Sequence, residues 1–302
     1  MTTRAVRDQL MTGVLVCSGV LVALLPLYGG KNENNPDKVG HRNVARKSFI
    51  SPESERAIGK QGSDQFERSA DVVQDAGVEQ YVTTVARRVV SHSDWKRPFA
   101  IKVVKSPHVN SSSFPGGFIY ISSALLIEAQ NDDEIAAVIA HQVAHAAARH
   151  WAEELAKMLQ LQFTINLVNS TSANAAALSR VLLDVGDASG DNGAVVCVGY
   201  VEHGRMGMPV PFLIRQRQNE LEADYLGLQY VYKAGYAPSA YVGLLARLKP
   251  SDTGSQGQPE SFRSTPPISE RIAQAEKEIA EILPNAPLAK SSPEFVLMKS
   301  RF

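Results

Sequence analysis

The sequence AVIAHQVAHAAARH, residues 137–150, places two histidines four positions apart in an almost wholly apolar stretch. At helical spacing, His141 and His145 share one face, one turn apart, which is how two of the three protein ligands of an open zinc site are often supplied. Two histidines at this spacing are often only part of a helix surface. Here the neighbours are apolar almost all round, and a buried imidazole without a partner is costly. Metal ligation is therefore the better explanation of the pair.

The acidic stretch NELEAD, residues 219–224, offers the third ligand. Glu220 and Asp224 are one helical turn apart, and a carboxylate can complete a zinc site. A histidine that binds a metal usually donates its other N–H to a further carboxylate. We therefore predict that Glu220 binds the metal and that Asp224 orients a histidine. The simpler alternative is a solvated acidic face. The predicted cofactor is one Zn²⁺ per chain.

A glycine turn and a strand are predicted within residues 110–121, NSSSFPGGFIYI. The glycines allow a tight turn into the strand, which could lie close to a substrate. An extended peptide can pair with a free strand edge. We therefore predict that substrate binds along the strand residues Phe118, Ile119, Tyr120 and Ile121. The alternative is an ordinary hairpin strand.

The N-terminal run from Leu10 to Tyr28 carries no charge and follows Arg4 and Arg7. Its length predicts an uncleaved membrane anchor, and a cleaved export signal is the close alternative. Both place the rest of the chain outside the cytoplasm, on the periplasmic side. Lys plus Arg equals Asp plus Glu at 31 each, so no nucleic-acid partner is expected.

Four motifs together resemble the HtpX and CAAX-prenyl-protease type family of zinc metallopeptidases, which are gluzincins, and most closely its bacterial periplasmic branch. The family pattern runs N-x-x-x-x-PGG-x-I-x-V, HExxHxxxRH, R-x-x-E-x-E-A-D-x-x-G and T-H-P-P-x-x-x-R. In the same order this chain carries Asn110–Ile121, His141–His150, Arg217–Gly227 and Thr265–Arg271. The resemblance covers most of the chain, and such an ordered set is specific.

The resemblance implies an α+β fold of the zincin type, with an HxxxH active-site helix, a ligand helix and a small sheet. The zinc ligands that it implies are His141, His145 and Glu220, with Asp224 in support of a histidine. It assigns structural or supporting positions around them to Arg149, His150, Arg217 and Arg271. The implied activity is a zinc metalloendopeptidase that acts on extended or unfolded polypeptides, including membrane-associated proteins. Its implied partners are that polypeptide and, through the N-terminal segment, a membrane.

Gln142 stands where the family has the glutamate that takes a proton from the attacking water. An amide has nearly the same shape but cannot accept that proton, and general-base catalysis contributes roughly 10²–10⁴ in rate. The family's histidine before Pro266 is also missing, and residues 111–114 depart from its pattern. Two functions therefore stay open. One is a peptidase of weak or absent activity, whether the change is natural or engineered. The other is a zinc-binding pseudoprotease that holds peptides as a chaperone does.

The chain is predicted to divide into four segments. Residues 1–30 form the anchor or signal. Residues 31–50 form a polar linker, which contains Pro36 and follows Gly29 and Gly30. Residues 51–285 form the metallopeptidase-like domain. Residues 286–302 form a mostly irregular C-terminal tail.

Overall fold

The computed structural model describes residues 35–159, 181–182, 199–202, 205–207, 210–248, 265–283, 287, 289 and 291–302. Over these ranges helices surround a small three-stranded sheet, which confirms the predicted α+β class. The predicted anchor at residues 10–28 lies outside the described residues. Among the helices of the described part, none is both long and apolar enough to cross a bilayer.

Within the described residues, two α-helices precede the sheet, and each begins at a side-chain cap. Helix α1 is Pro52–Ser69, and Ser51 accepts a hydrogen bond from the backbone N–H of Ser54 at its start. Helix α2 is Ala76–Ser91, and Asp75 accepts from the N–H groups of its first turn. Ser and Asp satisfy backbone donors that have no partner inside the helix, which explains where both helices begin.

The sheet consists of β1 (Ala100–Val104), β2 (Ser111–Phe114) and β3 (Phe118–Ser122), in the order β1-β3-β2. Strand β3 pairs parallel with β1 and antiparallel with β2. The turn between β2 and β3 contains Gly116 and Gly117 at φ values of 76° and 90°, a backbone region that favours glycine.

The prediction that substrate binds along Phe118–Ile121 is wrong, because this segment has no free edge. It belongs to β3, which lies in the centre of the sheet, and all five residues of that strand are buried. The glycine turn folds the serine-rich run back onto β3 as its antiparallel partner. Within the described residues, the unpaired edge on this side of the sheet belongs to β2.

The central helix is α4, Asp132–Ala148, which follows the short helix α3, Ser123–Glu128. Asn131 caps the helix by accepting from the N–H of Glu134, and the carboxylate of Glu134 accepts from the N–H of Gln130, the residue before the cap. Apart from His145, every residue of α4 is buried. The helix ends at Arg149, which adopts a left-handed conformation with φ of 58°, and residues 150–159 continue as a further helix, α5.

The helix that carries Glu220 is α6, Val210–Lys233, which packs along α4. Its Gly227 makes the close approach possible, since a Cβ there would lie 3.1 Å from the backbone nitrogen of His141. The α-helices that follow in the described part of the chain are α7 (Ser239–Leu248), α8 (Ile268–Ile282) and α9 (Pro293–Lys299). A second antiparallel sheet contains β4 (Val181–Leu182), β5 (Gly199–Glu202) and β6 (Arg205–Gly207).

Both terminal segments of the described chain pack into the domain, which differs from the predicted linker and tail. In the segment before α1, Val44 is buried and Arg42 forms a buried ion pair with Asp94. In α9, Phe295 and Met298 are part of the main core. The apolar residues of these two stretches are spaced irregularly among polar and charged ones, so no helix or strand period predicts which of them are buried. Their packing depends on contacts with residues that are distant in the sequence.

Candidate metal centre

Helices α4 and α6 bring His141, His145 and Glu220 together. Nε2 of His141 lies 3.5 Å from Glu220 Oε2, and Nε2 of His145 lies 3.3 Å from Glu220 Oε1. One ligand atom from each residue falls within 4.8 Å of the other two. Two imidazole nitrogens and a carboxylate oxygen are a donor set that suits zinc. The three residues therefore fit a metal site, as the sequence predicted.

Asp224 lies behind His141. Its Oδ1 is 2.8 Å from Nδ1 of His141, which leaves Nε2 directed towards Glu220. Arg271 donates to both oxygens of Asp224, each at 2.7 Å, and Tyr241 donates its hydroxyl proton to Oδ1 at 2.5 Å. The predicted positions of Asp224 and Arg271 are thus next to the ligands. Tyr241 was not predicted, and it stands in no motif that would have identified it.

His150 lies on the other side of the ligand set, against His145. The two Nδ1 atoms are 3.0 Å apart, and Nε2 of His150 is 3.3 Å from Oε2 of Glu222. Arg46 donates to the same carboxylate. The sequence analysis did not predict the contacts of Glu222 and Arg46. These contacts form because the chain turns at Arg149 and places His150 beside Glu222.

The two remaining arginines of the motif set are Arg149 and Arg217. Arg149 donates from Nε to Glu55 at 2.8 Å and from Nη2 to the carbonyl of Ile50 at 2.6 Å, so it ties the end of α4 to the start of α1. Arg217 is half-buried in α6, three positions before Glu220.

For each of the two histidines, burial lowers the pKa and the nearby carboxylates raise it, and the net result differs between them. Burial lowers the pKa of His141, but hydrogen bonds to Asp224 and Glu220 outweigh it and raise that pKa to about 9. Burial lowers the pKa of His145 to about 4, which favours the neutral imidazole that a metal needs. Asp224 itself is buried, which opposes ionisation, but Arg271 outweighs this effect and lowers its pKa to about 2.

Gln142 lies one position after His141 and contacts strand β2. Its Nε2 donates to Oγ of Ser111 at 2.9 Å. Ser111 and Ser113 pair with Ile121 and Ile119, which belong to the main core, so both serines lie on the face of the sheet that α4 covers. The predicted base position therefore meets the edge strand through an amide–hydroxyl hydrogen bond.

A cleft of about 450 Å³ opens over these groups. Strand β2 forms one side, and an apolar wall forms another, with contributions from Leu125, Val138, Leu244 and Leu245. His141, Gln142, His145 and Glu220 line its floor. The arrangement can hold an extended chain between an unpaired strand edge and a metal-binding residue set.

Comparison with known proteins agrees with this geometry. The model of peptidase family M48 matches residues 74–279, which contain the ligand set and both helices that carry it. The chain is 27% identical over 292 residues to the beta-barrel assembly-enhancing protease of Escherichia coli (strain K12), an alignment that covers 96% of this chain and 56% of that protein.

Mitochondrial metalloendopeptidase OMA1 is similar in two yeasts. In Schizosaccharomyces pombe the identity is 28% over 217 residues, which cover 71% of this chain and 56% of that protein. In Saccharomyces cerevisiae it is 34% over 177 residues, which cover 57% and 44%. The chain thus spans about half the length of these relatives.

Proposed function

The chain belongs to peptidase family M48. From this premise we propose that it holds zinc and binds extended polypeptide. With Gln142 in the position of the base, it cleaves that polypeptide weakly or not at all. The observation that carries the proposal is the position of Gln142. Its amide donates a hydrogen bond to Ser111 and lies next to three residues that can hold a metal. His141, His145 and Glu220 would hold the zinc, and Asp224 would orient His141.

Zinc bound there would supply Lewis-acid polarisation of a peptide carbonyl and of an attacking water. The chain's own residues must then move the proton of that water to the leaving amine. The Gln142 amide cannot accept a proton, so this transfer lacks its usual base. The amide preserves shape and polarity, which leaves substrate binding intact.

The free edge of β2 is the proposed substrate-binding strand. The N–H of Ser122 donates to the carbonyl of Asn110 at 3.0 Å. Because hydrogen-bonded and non-hydrogen-bonded pairs alternate in an antiparallel ladder, Ser111 and Ser113 then direct their backbone groups away from β3. These groups can pair with an extended peptide of almost any sequence.

A pseudoprotease that holds peptides is the second candidate function. The hydrogen bond from Gln142 to Ser111 favours it, since the amide is tied to the strand that would receive the peptide. On this account the zinc would support the fold of the cleft, and release of an uncleaved chain would be the useful step.

One substitution separates the two candidates. Gln142→Glu supplies a proton acceptor at almost unchanged volume, and peptidase activity should rise at least about a hundredfold if the base was the only defect. The assay is cleavage of a panel of unfolded proteins by the zinc-loaded full chain, with and without a chelator. Gln142→Ala is the matched control, because it disturbs the same site without supplying an acid.

Two outcomes decide between the functions. A chelator-sensitive gain in Gln142→Glu but not in Gln142→Ala supports a peptidase that is one residue from full activity. If Gln142→Glu is folded, holds zinc and cleaves nothing, the peptidase function is rejected. Binding of a reduced, alkylated protein by the unchanged chain would then support the pseudoprotease.

We also propose that the domain works outside the cytoplasm, tethered or exported through residues 1–30. The uncharged run at residues 10–28 and the preceding Arg4 and Arg7 support this orientation. A reporter enzyme that needs the periplasm for activity, fused after residue 60, should be active. Activity of only a cytoplasmic reporter at the same position would contradict the proposal.

A further inference from the structure

The two histidine ligands are held from behind in different ways. His141 directs Nδ1 at the carboxylate of Asp224. His145 directs Nδ1 at a second imidazole, that of His150, at 3.0 Å. Only beyond this imidazole does the row reach a carboxylate, Glu222, 3.3 Å from Nε2 of His150. His150 is 3% exposed, so water competes little for its ring nitrogens.

The carboxylate at the far end determines where the protons of the row lie. Ionised Glu222 can only accept, so Nε2 of His150 must carry the N–H. A neutral His150 then has a lone pair at Nδ1, which accepts the Nδ1–H of His145. Nε2 of His145 is left with its lone pair, which is the form that binds a metal.

The reversed row would disable the ligand. If Nδ1 of His150 carried the proton, it would donate to Nδ1 of His145, and His145 would carry its proton on Nε2. A protonated Nε2 has no lone pair to offer. The acceptor at the end of the row therefore selects between a binding and a non-binding tautomer of His145.

Arg46 connects the row to the segment before α1. Its guanidinium donates to Glu222, and its backbone N–H donates to the carbonyl of Ala148 at 2.9 Å. Both contacts lie beside the turn at Arg149 that brings His150 back over His145. The side chain of Arg46 thus holds the carboxylate, and its backbone holds the end of α4.

We propose that His150 and Glu222 are positioning residues that keep His145 in its metal-binding tautomer, and that Arg46 anchors them from the segment before α1. The inference rests on the proposed zinc site and adds the groups that set its affinity. It makes zinc binding depend on a residue nearly a hundred positions before the nearest ligand in sequence.

Glu222→Gln tests the row, because a glutamine can offer an N–H to His150 and so permits the reversed order. Zinc affinity of the full chain, measured by competition with a chromophoric chelator, should fall about 10- to 100-fold. The visible absorption of the cobalt-substituted protein should change as well. Arg46→Gln should produce a smaller loss. Glu153→Gln is the matched control, since Glu153 lies 4.0 Å from Nε of Arg46 but outside the row.

A measurement on the unchanged protein avoids any effect of substitutions on folding. Nitrogen-15 NMR of the zinc-loaded chain should show the proton of His150 on Nε2 and that of His145 on Nδ1. The opposite tautomer of His150 would overturn the inference. So would equal zinc affinity and an unchanged cobalt spectrum in folded Glu222→Gln. No zinc uptake by the unchanged chain would instead overturn the proposed function, and this inference with it.

Discussion

The hydroxyl of Tyr241 donates to Oδ1 of Asp224 at 2.5 Å, on the same oxygen that lies 2.8 Å from Nδ1 of His141. Tyr241 also accepts a hydrogen bond from Nη2 of Arg271 at 2.6 Å. Helices α7 and α8 therefore hold the carboxylate that contacts His141 on α4, although neither helix carries one of the three proposed zinc ligands.

Tyr241→Phe should weaken zinc binding while leaving the fold intact. The substitution keeps the ring beside His141 and removes one of the hydrogen-bond donors to Asp224. Of the two side chains on α7 and α8 that donate to this carboxylate, only Arg271 remains. We expect a loss of up to about tenfold in zinc affinity and about 1 kcal/mol in the free energy of unfolding. Chelator competition and thermal melting measure the two effects. Unchanged affinity with lowered stability would show that Tyr241 is only structural.

His141→Ala should abolish zinc binding, because two ligands cannot replace three in an open site. Metal analysis after reconstitution should fall from about one zinc per chain to a small residual amount. His92→Ala is the control, since His92 is exposed and hydrogen-bonds to its own helix end. Retention of stoichiometric zinc by His141→Ala would reject the ligand set.

Ser113→Pro should weaken peptide binding at the β2 edge. Proline removes the N–H that Ser113 directs away from β3, and edge strands tolerate proline at such positions. The loss of one hydrogen bond corresponds to about a 2- to 10-fold weaker affinity. Fluorescence anisotropy with an extended peptide measures it. Ser113→Ala keeps the backbone donor and should bind normally. Equal weakening in both variants would place the effect in the side chain and contradict pairing at this edge.

Glu278→Gln should stabilise the protein at neutral pH. Glu278 accepts a hydrogen bond from Gln229 at 3.0 Å. Burial raises the pKa of Glu278 well above 4.5, and the negative charge of Asp224 adds to this effect. The hydrogen bond from Gln229 and the positive charge of Arg42 lower the pKa, but they do not outweigh burial. The folded chain therefore holds a proton that the unfolded chain releases. The stability this group provides is present below pH 4.5 and is lost as pH rises through the raised folded-state pKa.

The melting temperature as a function of pH measures this effect. Glutamine keeps the acceptor for Gln229 without an ionisable proton, so the variant should gain on the parent as pH rises from about 4.5 to about 8. A difference between the two proteins that stays constant over this range would show that Glu278 does not titrate as its burial requires.

The placement of the proposed ligands on each helix could be predicted from the sequence because helical spacing is a local property. His141 and His145, like Glu220 and Asp224, lie one turn apart whatever surrounds them. The order of strands in the sheet is not local. Residues 111–114, Ser-Ser-Ser-Phe, do not have the composition typical of a strand. The sequence therefore predicts an edge strand at Phe118–Ile121, whereas the structure has β2 at that edge. Tyr241 and Glu222 reach the site through the packing of separate helices, which no spacing in the sequence encodes.

The terminal segments hold α4 at its two ends, and this affects how the protein is made. Arg46 bonds the carbonyl of Ala148 at one end, while the N–H and hydroxyl of Ser292 bond the carboxylate of Asp132 at the other. Ser292 is translated about 160 residues after Asp132. A nascent chain therefore lacks the two hydrogen bonds from Ser292 to the first turn of this helix until residue 292 has left the ribosome or emerged from the export channel. The helix that carries both histidines should therefore reach its full stability only after synthesis is complete.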